Sequence, residues 1–354
     1  MKELTGRDAL TRAGTRYDEL VAGEPVTCRR PWLQAWVDSY TDWDPWVVLV
    51  DGAPAALARR RKGPVTQVCV LGTGPSDESR LPAADPVAAA SLANAILAGL
   101  PARWSLRAEQ LPPDCPVLAE LVARCPVHEL RPGDGLPRVD LTDDWRTHVS
   151  RNSRQADSKA RRQLAEAGYD LTETRTTDPA EVAAAMPDVR AVHRARDLAM
   201  GRRPDHDDPR EAAFHAAVVA THDVDLYQLR ANGTLAAYVL GFRDGRSLGV
   251  WDNRVNPDFQ RFSAGRVANT AILKAAVDDP AYDVVDWMRG EEAYKLSSAT
   301  RVTTTSQLRA WSSRTLRLPY DAAARGRALR SDNALAAKVF TALGKPPPRD
   351  QQRD

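Results

Sequence analysis

The chain has 354 residues, of which 43% are hydrophobic and 27% charged, with a formal net charge of +2. This length and balance suit a globular protein of two ordinary domains, or one domain with a large appendage, and exclude a chain that is basic throughout for nucleic-acid binding. No run of about 18 apolar residues occurs, which excludes a membrane-spanning helix. The opening MKELTGRDALTRAG lacks the apolar stretch of a signal peptide, so a soluble, cytoplasmic protein is expected.

Along the chain, RPWLQAWVDSY over 30–40 places Trp32, Leu33, Trp36 and Val37 at helical spacing, with Pro31 suited to a first turn. WVVLV, the Asp51-Gly52 turn signal and AALA predict a hairpin over 46–58. A strand over 65–71, an alanine-rich helix over 86–99 and a strand over 103–108 follow. Residues 125–137, containing RPGDGLP, are rich in Pro and Gly and are taken as a domain boundary. This sets an N-terminal half at 1–137, a C-terminal half at 138–314, and a helical extension with a disordered tail at 315–354.

The second half starts with a strand over 138–141 and a helix over 143–167, closed by Gly168. A helix over 179–198 contains Pro187, residues 200–209 form a polar loop, and a further helix covers 211–221. Three consecutive antiparallel strands are expected over 225–230, 234–242 and 247–252, joined by the Asn232-Gly233 and Asp244-Gly245 turns. A loop, a helix over 264–277, a strand over 282–288, a helix over 291–299 and a strand over 304–311 complete the unit. No short-period repeat is visible.

Cys28, Cys69, Cys115 and Cys125 show no CxxC pairing and are expected to be reduced, buried small hydrophobes. Asp205, His206, Asp207 and Asp208 cluster in one loop, but no helical HxxxH or HExxH spacing occurs, and no metal site is expected. An open sheet followed by a loop and a helix N-terminus offers unpaired N–H groups and a positive dipole end, which suit a pyrophosphate. The loop here is DFQRFSAGR over 258–266. Gly265 allows close backbone approach, and Gln260, Arg261, Ser263 and Arg266 add donors. The plainer alternative is a strand-to-helix loop whose glycine serves only a turn.

On LGVWDNRVNPDFQRFSAGR, VVDWMRG and EEAYKLSSA, together with VTCRRPWLQAW and WVVLVDGAPAALA in the first half, the chain resembles the GNAT acyltransferase superfamily, and more narrowly its CelD-like and Fem-like branch. The resemblance covers most of 26–311. It implies an α/β (α+β) fold of two GNAT-like units, each a mixed, largely antiparallel sheet flanked by helices. It also implies transfer of an acyl group to an amine or hydroxyl of a small-molecule acceptor. The donor would be acyl-CoA or, as in Fem-like members, aminoacyl-tRNA, with no permanently bound cofactor. A non-catalytic GNAT-like binding module is the remaining alternative. The superfamily's donor loop usually runs Q/R-x-x-G-x-G/A; here only the first glycine is kept, as Gly265.

Through that resemblance, Tyr294 is the candidate acid or hydrogen-bond donor to the departing group, and Lys295 the stabiliser of developing negative charge. Asp252 is the leading carboxylate for orienting or deprotonating an acceptor, or else caps a turn through Asn253. Asp286, between Val285 and Trp287, is expected to be structural. His193, His206 and His215 are further candidate bases. Around 150–166, Arg151, Arg154, Arg161 and Arg162 share one helix face opposite Ala156, Ala160 and Leu164. That face is either solvated charge or a surface for the phosphates of tRNA or of CoA.

Overall fold

The computed structural model describes residues 1–142, 144–318 and 320. In chain order the elements are β1 (Lys2–Thr5), α1 (Ala9–Leu20), α2 (Arg30–Ser39), β2 (Asp44–Val50), β3 (Ala53–Lys62), β4 (Val65–Val70), α3 (Pro86–Ala98), β5 (Trp104–Leu111), α4 (Pro116–Arg124) and β6 (Val127–Asp140). The second half follows with α5 (Arg151–Glu166), β7 (Leu171–Thr176), α6 (Pro179–Ala199), α7 (Pro209–Thr221), β8 (Val224–Ala231), β9 (Thr234–Asp244), β10 (Ser247–Val255), α8 (Ala264–Asp278), β11 (Val284–Asp286), α9 (Ala293–Leu296) and β12 (Arg301–Trp311). Short 3-10 turns cover Val26–Cys28, Trp145–Thr147, Asp205–Asp207 and Pro257–Phe262. From residue 321 onward, the expected disordered tail lies outside the described residues.

All twelve strands form one sheet in the order β1-β2-β3-β4-β5-β12-β6-β11-β10-β9-β8-β7. The two halves repeat one plan. In each, a first strand, two helices and an antiparallel meander of three strands lead through a helix to a fifth strand, which pairs in parallel with the fourth. The sixth strands are exchanged between the units: β6 lies against β11 of the second, and β12 against β5 of the first. They also pair with each other, which makes the sheet continuous.

The boundary region 125–137 is therefore not an irregular linker. Most of it is β6, paired with β12 from Val127↔Trp311 to Pro137↔Val302. Pro132 is accommodated beside a register shift between Thr304 and Ser306, where strict ladder hydrogen bonding lapses. At Gly133, an added Cβ would lie 2.2 Å from Thr305 Oγ1, so the position requires close strand approach. The other differences are additions or trimmed ends. β1, α1, α4 and β7 had no predicted counterpart, and α5 begins only at Arg151, after a 3-10 turn.

Both faces of the sheet are covered. In the first unit, α3 and α4 pack their alanines and leucines on one face, while α1 and α2 cover the other. In the second, α5 and α8 cover one face, with Ala160 and Leu164 of α5 buried, and α6 covers the other. Trp32 of α2 joins the units. Its ring meets Phe214, Phe242 and Trp251 edge-on at 5.2–5.5 Å, and its Nε1 donates to Ser76 Oγ at 2.8 Å. All four cysteines are free and buried. No helix among the described residues is long and apolar enough to cross a membrane.

The meander of the second unit depends on small residues where β9 crosses β10. A Cβ on Gly241 would stand 2.7 Å from the Gly249 carbonyl oxygen, which is backbone and cannot swing aside. Gly241→Ala is expected to destabilise the protein by about 1–3 kcal/mol, the usual range for overpacking. Urea denaturation with an unchanged m value measures it; stability equal to wild type would mean that the two strands separate freely at this point.

Candidate functional site

β10 and β11 pair only between Ser247–Gly249 and Val284–Asp286. A register shift between Val250 and Asp252 then bends β10, which runs on to Val255 after β11 has ended. The two strands diverge, and a cavity of about 350 Å³ occupies the wedge. Its walls come from the end of β10 (Asn253, Arg254, Val255), the start of α8 (Ser263, Gly265, Arg266, Asn269) and the segment after β11 (Trp287, Tyr294, Ser297, Ser298). Arg196 of α6 and His148 close the sides.

The N-terminus of α8 opens into this space. Ser263, which precedes the helix, takes the left-handed conformation with φ 59°, and its side chain makes no capping hydrogen bond. The Arg266 N–H donates to the Ser263 carbonyl at 2.9 Å, which leaves the Ala264 and Gly265 N–H groups, with the positive end of the helix dipole, for a ligand. A Cβ built on Gly265 would meet only Val255, at an ordinary 3.4 Å. Arg196, Arg254 and Arg266 all line the cavity, and no carboxylate does.

At the equivalent helix start in the first unit the anion position is already taken. Asp85 caps α3 and accepts from the Ala88 N–H at 2.7 Å, so a carboxylate of the chain itself fills the anion position. Where β4 ends, the wedge beside β5 is filled by the buried run Ser76, Asp77, Glu78 and Ser79, and Ser79 N–H donates to Gln110 O at 2.9 Å. One of the two units is therefore open to an anion.

Tyr294 lies in the cavity wall, 37% exposed, and its hydroxyl donates to Asn253 Oδ1 at 3.2 Å. The ring stands edge-on to Trp287 at 5.7 Å. Burial raises the hydroxyl above the ordinary phenol range, against the opposing hydrogen bond with Asn253, so it stays protonated and serves as a donor. Lys295 points elsewhere. It is buried, donates to the Arg289 carbonyl and pairs with Glu292 at 3.2 Å, outside the cavity lining. On the four-residue helix α9, adjacent side chains lie about 100° apart, so Tyr294 and Lys295 cannot share one face.

Asp252 is also outside the cavity. It is buried, accepts from Tyr238 Oη at 2.5 Å and pairs with Arg254 at 2.8 Å. Burial pushes its carboxyl up, but Arg254, His193 and the Tyr238 hydroxyl together hold it below the ordinary value. An ionised carboxylate so enclosed is a poor proton acceptor; its position instead fixes Arg254 at the cavity wall. Asp286 pairs with Arg138 at 2.7 Å, the structural role expected of it.

Of the donor-loop residues, Ser263, Gly265 and Arg266 line the cavity, whereas Gln260 and Arg261 do not. Gln260 accepts from Arg196 at 2.6 Å, and Arg261 lies over the Phe262 ring at 4.6 Å. The arginine face of α5 is largely engaged within the chain. Arg154 donates to the Arg146 and Val149 carbonyls, Arg161 pairs with Asp157 and Glu173, and Arg162 pairs with Glu166, while Arg151 is exposed. Sequence reasoning missed Asn253, Arg254, Arg196 and Trp287. WDNRV follows the strand signal directly, but nothing local shows that β10 bends there.

On the other side of β10, three histidines form a column. His193 stacks on His206 at 4.4 Å, His206 tilts against His215 at 4.6 Å, and His215 stacks on Trp251 at 4.7 Å. Neither ring nitrogen of His215 has a hydrogen-bond partner among the described residues. Burial drives its imidazole down to about 3, against a smaller opposing pull from Asp252.

Residues 151–296 match the family model of the acetyltransferase (GNAT) domain. No curated protein matches the chain by sequence. Among solved structures, the chain is similar to FemX, with a TM-score of 0.56 at 11% identity, over 83% of this chain and 94% of that one. It is also similar to the C-terminal domain of a putative lysylphosphatidylglycerol synthetase from Agrobacterium fabrum, with a TM-score of 0.54 at 13% identity, over 84% and 91%. At these identities the likeness is one of fold.

The His215 environment has a consequence for stability. The unfolded chain takes up a proton near the ordinary imidazole value of about 6.5, whereas the native state resists it until about 3. The unfolded state thus binds more protons in that window, and stability falls as pH falls through it, by up to about 1.4 kcal/mol per unit from this residue. His215→Phe keeps a ring against Trp251 and should lose stability less steeply below pH 6.5 in urea titrations. Parallel profiles for variant and wild type would show that His215 takes up its proton equally in both states.

Proposed function

From the match of residues 151–296 to the acetyltransferase (GNAT) domain and the fold shared with FemX, we propose that the chain transfers an acyl group from acyl-CoA to an amine or hydroxyl of a small-molecule acceptor. One observation carries the reading. The open wedge of the second unit joins an uncapped helix N-terminus to three arginines in a cavity without a carboxylate. Its volume falls within the range typical of small-ligand pockets, about 300–1,000 Å³. A pyrophosphate at Ser263, Gly265 and Arg266 would direct the donor's thioester along the wedge toward Asn253 and Tyr294.

In that pose the acceptor's lone pair attacks the thioester carbonyl, charge gathers on the carbonyl oxygen, the C–S bond breaks as the sulfur leaves, and the proton lost by the acceptor passes to solvent, from which Tyr294 regains the one it gives to sulfur. Tyr294 is placed to protonate the sulfur, and its raised hydroxyl value keeps the proton available at neutral pH. Asn253 orients that hydroxyl through their shared hydrogen bond. The engagement of the α5 arginines with Asp157, Glu173, Glu166 and backbone carbonyls favours CoA over tRNA, because several phosphates of a tRNA backbone would need free cations.

Two variants test the assignment with acetyl-CoA. Gly265→Val should weaken donor binding about ten-fold or more while the melting temperature holds, since the added atoms enter the cavity floor. Tyr294→Phe should lower kcat by about 10²-fold with little change in donor KM. Both are read beside a parallel assay with aminoacyl-tRNA across a salt series. Transfer with acetyl-CoA that is indifferent to ribonuclease is the expected result. Transfer only from charged tRNA, abolished by ribonuclease, would overturn the donor assignment. Donor affinity unchanged in Gly265→Val would overturn the site.

A further inference from the structure

On the side of β10 away from the donor cavity, His193 and Asp197 of α6 stand one helical turn apart and face the same way. Both are buried, at 4% and 2% exposure. His193 Nδ1 lies 3.2 Å from Asp197 Oδ2, yet it makes no hydrogen bond among the described residues. Asp205, in the 3-10 turn between α6 and α7, supplies a further carboxylate. The donor atoms of the three residues fall within 4.8 Å of one another. His206 Nδ1, in the ring stacked on His193, is likewise buried without a partner among the described residues.

Two ligands held at about 2.0–2.2 Å on a tetrahedral ion lie roughly 3.3–3.6 Å apart. The 3.2 Å separation of His193 Nδ1 from Asp197 Oδ2 lies just below that spacing, in an orientation that does not suit a hydrogen bond. We propose that His193 Nδ1 and the carboxylates of Asp197 and Asp205 bind a divalent transition metal of the zinc class, with a fourth position left for water. One imidazole and two carboxylates select such an ion over calcium or magnesium, which prefer oxygen ligands alone. The two carboxylates offset its charge, and Arg202 keeps the other oxygen of Asp197 at 3.1 Å.

With the metal on Nδ1, the proton of His193 sits on Nε2. That atom lies 3.9 Å from Asp252 Oδ1, too far for a hydrogen bond without a small shift of the ring. Arg254 Nη2 donates to that nitrogen at 3.2 Å in the structure, so a metal on Nδ1 requires Arg254 to release it to Asp252, with which it already pairs. The ion would fasten the segment between α6 and α7 to α6, the helix that also places Arg196 in the donor cavity.

The test uses full-length, tag-free protein stripped with chelator. Cobalt(II) titration followed by visible absorption, then displacement with zinc, should give one ion per chain with the strong bands of tetrahedral coordination. His193→Ala should abolish uptake. Asp205→Asn, at an exposed position that does not threaten folding, should weaken zinc affinity about ten-fold or more. Asp207→Asn, whose carboxylate pairs with Arg194 outside the ligand set, should bind as wild type does. Failure of the wild type to bind zinc at sub-millimolar concentration would overturn the proposal, as would unchanged affinity in Asp205→Asn, whether or not His193→Ala folds.

Discussion

The exchange of sixth strands between the two units is the constraint on which the rest of the architecture depends. β6 leaves the first unit to lie between β11 and β12, and β12 returns to lie between β5 and β6. Neither sheet is complete without the other unit's strand, and the fifth strands gain an antiparallel neighbour on the side away from their parallel partner. Arg138 of β6 adds a charged joint, donating to Asp286 Oδ2 at 2.7 Å and to Glu78 Oε2 at 2.9 Å. One guanidinium thus ties the fifth strand of the second unit to the buried loop of the first. Because β11 is held in this way, β10 can diverge from it without opening the sheet.

The two units share a plan but differ at the point where chemistry can occur. In the first, the chain turns back into its own wedge and a carboxylate closes the α3 N-terminus. In the second, the helix N-terminus is uncapped and the wedge is lined by cations. An aspartate before α3 and a left-handed serine before α8 are what distinguish the two helix starts. The buried pair Asp252–Arg254 belongs to the same design: it stabilises an arginine at the cavity wall where a free carboxylate would repel a phosphate.

Where structure is local, it was legible in the sequence. The Asn232-Gly233 and Asp244-Gly245 turns carry positive φ at Asn232, Gly233 and Gly245, and the meander follows the predicted spacing closely. The helix start at Ala264 and the cavity position of Gly265 also followed from neighbouring residues alone. β6 did not, because a run with two prolines and two glycines becomes a strand only when β12 arrives from more than 160 residues away to pair with it. The site divides along the same line. Tyr294 reaches the cavity because Trp287 and Asn253 hold it there, while Lys295, its neighbour in sequence, is turned by the short helix toward Arg289 and Glu292. Asp252 looked available in sequence; only the fold brings Tyr238 and Arg254 to enclose it. The proximity of His193 to Asp205 was hidden for the same reason, since one lies in a helix and the other in the 3-10 turn beyond it.

The central claim is that the donor's anionic groups bind at the N-terminus of α8 and not at its counterpart in the first unit. Amide hydrogen exchange with and without saturating acetyl-CoA compares the two helix starts in one sample. Slowed exchange over residues 263–267, with residues 85–89 unchanged, is the expected result. Protection at 85–89, or none at 263–267 while the donor is bound, would contradict the account.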